Sequence, residues 1–236
     1  MDRTRRTLLS SLGASAAVGL AGCTGFIGGS ASDGNTYLSA TEWEVDPSAL
    51  PFPTHGDQLP EATLPAPLRE AETLSLPGDF AGGDLLLTFV YTTCMTMCPR
   101  LTAIMARVQD HSIENGYADD VAFVETTFDP ARDDAAALRE WATQHDVATD
   151  AGNWYFLRPE SEARAKTVVQ DRYGVSFTKT TPEDMDAYMF AHSGVILLAN
   201  ADGYVERAYK LQSGDEETVR PQDVRDDLTT LRERES

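Results

Sequence analysis

The chain has 236 residues, 42% of them hydrophobic and 8% aromatic, and a formal net charge of -19 from 38 acidic against 19 basic residues. That is enough apolar material for one substantial core, too little length for several ordinary domains, and too apolar for wholesale disorder. So acidic a balance leaves no domain-wide basic patch and argues against nucleic acid as a partner. Only Lys166, Lys179 and Lys210 are lysines. An acidic, lysine-poor surface suits high salt, as in a halophilic archaeon, because screening removes self-repulsion; an ordinary acidic protein has the same balance.

The chain opens with Arg5-Arg6 and a weakly apolar run at residues 10–22. The run falls short of the roughly 20 residues that span a bilayer as a helix. A basic start and a short apolar run predict an export signal, and the paired arginines point to the route for folded proteins. Leu20-Ala21-Gly22-Cys23 looks like a lipobox, so a signal over residues 1–22 and a lipid on Cys23 are expected. A short uncleaved anchor is the alternative. Either way the domain faces the outer side of the cell membrane.

Residues 24–40 are mostly Gly, Ser, Thr, Asn and Asp, so 23–45 reads as lipidated cysteine and flexible tether, and 46–236 as the domain. Pro47, Pro51, Pro53, Pro60, Pro65 and Pro67 predict a stretch that wraps over the domain rather than forming core elements.

Regular elements begin after residue 70. Residues 84–92 contain Leu-Leu-Leu-Thr-Phe-Val-Tyr, an apolar run of strand length, and 121–127 read as a second buried strand. Apolar residues at 101, 104, 105 and 108 predict a helix over 99–115, and a second helix is expected over 133–145. A short strand at 154–157 precedes a third helix over 160–173, closed by Gly174. Residues 194–199 and 204–211 predict a hairpin, and 221–234 a last helix. Strands alternating with helices, then a hairpin and helix, predict an α/β fold with a central mixed sheet flanked by helices, compatible with a thioredoxin-like fold.

The chemistry lies at the end of the first of these strands, in Phe89-Val90-Tyr91-Thr92-Thr93-Cys94-Met95-Thr96-Met97-Cys98-Pro99. If the first helical turn includes both cysteines, their i, i+4 spacing puts the sulfurs on one face. A helix N-terminus supplies free amide donors and a positive dipole end, which favour thiolate. Such a pair exchanges disulfides or binds a soft metal. A merely stabilising disulfide is disfavoured, because so small a loop gains little from chain entropy.

This segment resembles the signature of the Sco (SenC) family of copper chaperones, a strand ending in Tyr-Thr before Cys-x-x-x-Cys-Pro. Asp129-Pro130-Ala131-Arg132-Asp133 is similar to the family's Asp-Pro-x-Arg-Asp, and His192-Ser193 matches the histidine before its terminal hairpin. The resemblance covers roughly residues 60–212. It implies a thioredoxin-like fold and copper, as Cu(I) or Cu(II), held by Cys94, Cys98 and His192. It also implies a Cys94–Cys98 disulfide in the oxidised form, and delivery of copper to the dinuclear centre of cytochrome c oxidase subunit II. Two thiolates and an imidazole suit Cu(I), which is soft and accepts few ligands. A membrane-anchored thiol–disulfide oxidoreductase is the competing reading; it needs both cysteines and not the histidine.

Thr93 and Met95 depart from the family's usual His and Pro. Met95 and Met97, and Met185 and Met189 before His192, are either weak soft ligands or, more commonly, fillers of an apolar rim. Asp129 is a candidate to position the loop or tune a cysteine through a hydrogen bond, and Tyr91 to lie under the site. His55, His111 and His145 read as solvated or otherwise satisfied, and Trp43, Trp141 and Trp154 as packing residues. The pairs Asp119-Asp120, Asp133-Asp134, Glu216-Glu217 and Asp226-Asp227 read as solvated surface.

Overall fold

A computed structural model describes residues 34–69, 72–181, 187–211 and 219–235. The expected signal, Cys23, Met185 and Glu216-Glu217 lie outside the described residues.

In chain order the strands are β1 (Ala62–Pro65), β2 (Thr73–Leu76), β3 (Asp84–Val90), β4 (Val121–Thr127), β5 (Trp154–Leu157), β6 (Phe177–Thr180), β7 (Met189–His192), β8 (Gly194–Ala199) and β9 (Val205–Leu211). The helices are α1 (Met97–Glu114), α2 (Ala135–Gln144), α3 (Glu162–Ala165), which widens into a π-helical stretch at Lys166–Arg172, and α4 (Pro221–Glu235). The central sheet has the order β5-β4-β3-β8-β9. β3, β4 and β5 run parallel, while β8 and β9 are antiparallel to their neighbours. This is the mixed sheet that the alternation of elements predicts. β3 is buried along its whole length, as its largely apolar run predicts, and it takes Asp84 and Thr88 inside with it.

Helices cover both faces. Thr88 and Glu125 stand opposite each other in the β3–β4 register, so they share a face. Thr102 of α1 and Trp141 of α2 both bond to Glu125 there. Phe89 points to the other face and packs on Tyr173 of the π-helical turn at a ring distance of 5.1 Å.

Four elements escape the sequence pattern. The proline-rich stretch is not just a wrap: it contains β1, which pairs with β2, and it sends Phe52, Leu59, Ala62, Leu64 and Ala66 into the core. Prolines flank these side chains without removing them from the apolar interior. Its passage is tight, since a Cβ on Gly174 (φ +66°) would meet the Pro51 carbonyl oxygen at 1.6 Å. The other unforeseen pair is β6–β7, whose residues carry little apolar alternation. The expected tether also ends early. The backbone amides of Tyr37 and Leu38 donate to the buried Glu206 carboxylate at 2.8–3.1 Å, and Leu38 is buried. Burying that carboxylate demands such donors, so the chain is docked from about residue 37 and not from 46.

Among the described residues no helix is long and apolar enough to cross a membrane.

Glu125 is fully buried, with Thr102 Oγ1 donating at 2.5 Å to one oxygen and Trp141 Nε1 at 3.2 Å to the other. Burial pushes its carboxyl up to about 8. Folding therefore takes up a proton whenever the pH lies above the unfolded value of roughly 4.3 and below the folded one. The stabilisation is complete below the unfolded value and is lost as pH rises toward 8. Glu125→Gln removes this term. Urea unfolding between pH 5 and 8 is expected to show wild-type stability falling more steeply with pH, by up to about 1.4 kcal/mol per unit. Parallel curves would show that Glu125 does not hold its proton.

Candidate metal centre

β3 delivers the chain to the site and stops at Val90. The Cys94 amide then donates to the Tyr91 carbonyl at 3.1 Å, closing a turn. α1 starts only at Met97, with Pro99 in its first turn, where a missing amide costs no helical bond. Cys94 thus precedes the helix, and the two cysteines do not share a helical face as their spacing suggested. They meet because the Cys98 amide points at Cys94 Sγ across 3.5 Å, so the sulfur stands where a capping side chain would. Both thiols are free.

The third group arrives from the far end of the fold. His192 closes β7 and is separated from β8 only by Ser193. Its Nε2 lies 3.6 Å from Cys94 Sγ and 3.5 Å from Cys98 Sγ, although 98 and 94 residues separate them in the chain. All three atoms fall within 4.8 Å of one another, and no other such His/Cys/Asp/Glu group occurs among the described residues. His192 Nδ1 lies 3.2 Å from the Ser193 carbonyl, which orients the ring with Nε2 toward the sulfurs. Tyr91 and Phe128 flank the imidazole at ring distances of 5.6 and 5.2 Å.

The two sulfurs differ electrostatically. The Cys98 thiol, His192 and backbone amides stabilise the Cys94 thiolate and hold its pKa near 3 against the opposing effect of burial. Burial pushes the Cys98 thiol well up. The pair at neutral pH is a thiolate beside a thiol.

The supporting shell only partly matches expectation. Tyr91 is buried beside His192, and its hydroxyl lies 3.3 Å from the Phe190 amide. Asp129 tunes no cysteine by a hydrogen bond: its oxygens are occupied by Arg132 Nε at 2.5 Å and the Tyr188 hydroxyl at 2.8 Å. The residue that holds the cysteine loop is Asp133, which accepts from the Thr92 amide at 3.2 Å and hydroxyl at 2.6 Å and from the Thr127 hydroxyl. Asp133 is fully buried, which overturns its reading as solvated surface, whereas Asp134 caps α2 through the amides of Ala136 and Ala137. Its place in the Asp-Pro-x-Arg-Asp motif was the available signal. Thr92 stands in the Tyr-Thr that ends the strand of the cysteine motif, and Tyr188 had no signal.

Met95 is 73% exposed, whereas Cys94 and Cys98 are 5% and 0% exposed. Met97 is buried, with its sulfur against Gly194. The other histidines stand elsewhere: His55 on the Leu38 carbonyl, His111 on the Tyr117 hydroxyl, His145 against Trp141. Trp141 and Trp154 are core residues, and Trp43 packs on Phe52.

A dithiol at the end of a central strand, on a mixed sheet covered by helices and joined by a histidine, defines a thioredoxin-like protein with a cysteine–cysteine–histidine centre. The SCO1/SenC family profile matches residues 70–225. The chain belongs to that family. It is 28% identical over 124 residues to the SCO1 protein homolog of Bacillus subtilis (strain 168), a match covering 52% of this chain and 60% of that protein. Two solved structures share the fold. Bradyrhizobium japonicum ScoI with copper bound has a TM-score of 0.58 and 20% identity, covering 74% of this chain and 99% of that one. BsSco, a member of the Sco family of cytochrome c oxidase assembly proteins with an identified disulfide switch, has a TM-score of 0.56 and 22% identity, covering 74% and 92%.

Alkylation separates the two thiols. In the metal-free chain iodoacetamide is expected to modify Cys94 first, at a rate that stays nearly flat down to about pH 5, and Cys98 at least about tenfold more slowly. Peptide mapping by mass spectrometry checks this. Cys98 reacting first would contradict the assignment of the thiolate.

Proposed function

We propose that this chain binds copper outside the membrane and delivers it to the dinuclear copper site of cytochrome c oxidase subunit II or a similar copper protein. The observation that carries the reading is the convergence of two sulfurs and one imidazole nitrogen within 4.8 Å. The donor set fits Cu(I), which is soft and content with three ligands; a structural zinc site would want a fourth. Family membership and the copper-bound relative support the same reading. In the chain itself, Cys94 is already ionised for binding, Cys98 gives up its proton to bind, and His192 turns its Nε2 toward both sulfurs. The proposal includes the anchoring read from the first residues: export by the twin-arginine route and a lipid on Cys23, which leaves the site on the outer face of the membrane.

A second reading has its own support, the thiolate at Cys94 beside the thiol at Cys98. That pairing suits attack on a partner's disulfide and closure to Cys94–Cys98, so the chain reduces cysteines of exported proteins. His192→Ala discriminates. On anaerobic titration the reduced chain is expected to bind one Cu(I), with two sulfurs and one nitrogen in X-ray absorption. The variant should lose tight binding and keep dithiol reactivity. Oxidase assembly sustained by His192→Ala would sink the delivery reading.

The methionines are expected to contribute little to the affinity. Met95 points largely to solvent and Met97 fills space against Gly194. Replacing both by Leu is expected to change Cu(I) affinity by less than about threefold, measured by competition with a colorimetric chelator. A tenfold loss would make one of them a ligand.

A further inference from the structure

His192 stands on a ribbon that the central sheet does not hold by hydrogen bonds. β6 and β7 pair with each other and form a separate two-stranded sheet. Downstream, β7 runs through Ser193 into Gly194, the first residue of β8, so that end is tied covalently to the central sheet. Gly194 has no room for a side chain, since a Cβ would lie 2.1 Å from Met97 Sδ. At the middle of β7 the Tyr91 hydroxyl meets the Phe190 amide.

The upstream end is gripped at Tyr188. Its hydroxyl donates to Asp129 Oδ1 at 2.8 Å. Arg132 Nη1 donates to its carbonyl at 2.9 Å. The Arg132 guanidinium and the Lys179 ammonium each lie 3.7 Å from its ring centroid. Asp129 and Arg132 are themselves joined at 2.5 Å. The turn after β4 therefore holds one residue by its hydroxyl, its carbonyl and its ring. That residue lies four positions before His192, at the end of β7 farthest from the anchorage that Ser176, Ser193 and the packing of Phe177 and Phe190 on Phe128 give the ribbon. A contact serving only fold stability would join core elements; this one sets where a strand carrying the imidazole lies.

We propose that Asp129, Arg132 and Tyr188 form a latch that positions His192 over the two sulfurs, and that opening it frees the upstream end of β7 to shift and draw the imidazole back from them. The latch residues act through the backbone of β7, so they are positioning residues. With the latch closed the centre offers two sulfurs and a nitrogen; with it open, two sulfurs, the poorer donor set from which a metal is more readily passed on. The inference rests on the copper reading above.

The test uses the full chain as wild type, Tyr188→Phe, Asp129→Asn, His192→Ala and Tyr188→Phe with His192→Ala. Tyr188→Phe removes one hydroxyl from a partly exposed residue, so it remains decisive should Asp129→Asn, which alters a buried carboxylate, fail to fold. Cu(I) affinity and the X-ray absorption nitrogen signal are measured anaerobically, and hydrogen exchange over 187–193 in the metal-free chain. Tyr188→Phe is expected to weaken Cu(I) binding by about tenfold and to reduce the nitrogen signal. It should also raise exchange in 187–193 while leaving β3 and α1 unchanged. In the His192→Ala background it should cost nothing further. Affinity within about twofold of wild type together with unchanged exchange, or a fully additive loss in the double variant, would overturn the latch. A wild-type chain that takes up no Cu(I) would instead overturn the copper reading, and exchange over 187–193 alone would then decide the latch.

Discussion

The approach of one imidazole nitrogen to two sulfurs is the constraint around which this domain is organised. Cys94 and Cys98 come from the junction of β3 and α1, and His192 from the approach to β8. β3 and β8 are neighbours in the sheet, paired antiparallel from Leu85–Ala199 to Thr88–Ile196. The end of β3 and the start of β8 therefore lie at the same edge. A loss of that pairing would separate the three donors by nearly a hundred residues of chain, so the centre exists only in the folded state.

The asymmetry of the sulfurs follows from the same arrangement. Cys94 stands over the start of α1, where amides and the neighbouring thiol stabilise negative charge. Cys98 lies inside the helix's first turn, fully buried, where charge is costly without a counter-ion. A metal cation or a bond between the sulfurs relieves that cost, which is why the geometry suits both copper binding and dithiol exchange.

A five-residue turn supports both halves of the centre. Asp133 ties down Thr92 and with it the loop before Cys94, while Asp129 and Arg132 reach Tyr188 on the histidine's ribbon. Three polar side chains at the end of β4 thus fix two otherwise independent segments. Asp129 and Asp133 are fully buried, and each gathers enough donors to offset the loss of water.

Local order was legible in the sequence because it depends on near neighbours. The apolar runs of β3 and β4, the helical spacing of α1, the turn at Asn200–Gly203 and the three motifs of the centre all announce themselves in short windows. What escaped were β1, masked by prolines, and its partner β2, only four residues long; β6 and β7, whose apolar pattern is weak; and the docking of residues 37–39, which depends on Glu206 at the other end of the chain. Residue types and spacing singled out Cys94 and Cys98, and the resemblance to the family's motifs added His192 as their partner. Tertiary structure alone decided that Cys94 precedes the helix, that Asp133 rather than Asp129 holds the cysteine loop, and that Tyr188 is gripped. The last two are contacts between segments tens of residues apart, set by how strands and helices pack, and no local pattern encodes such a distance; the first is a turn whose place relative to the helix start the spacing of the cysteines leaves open.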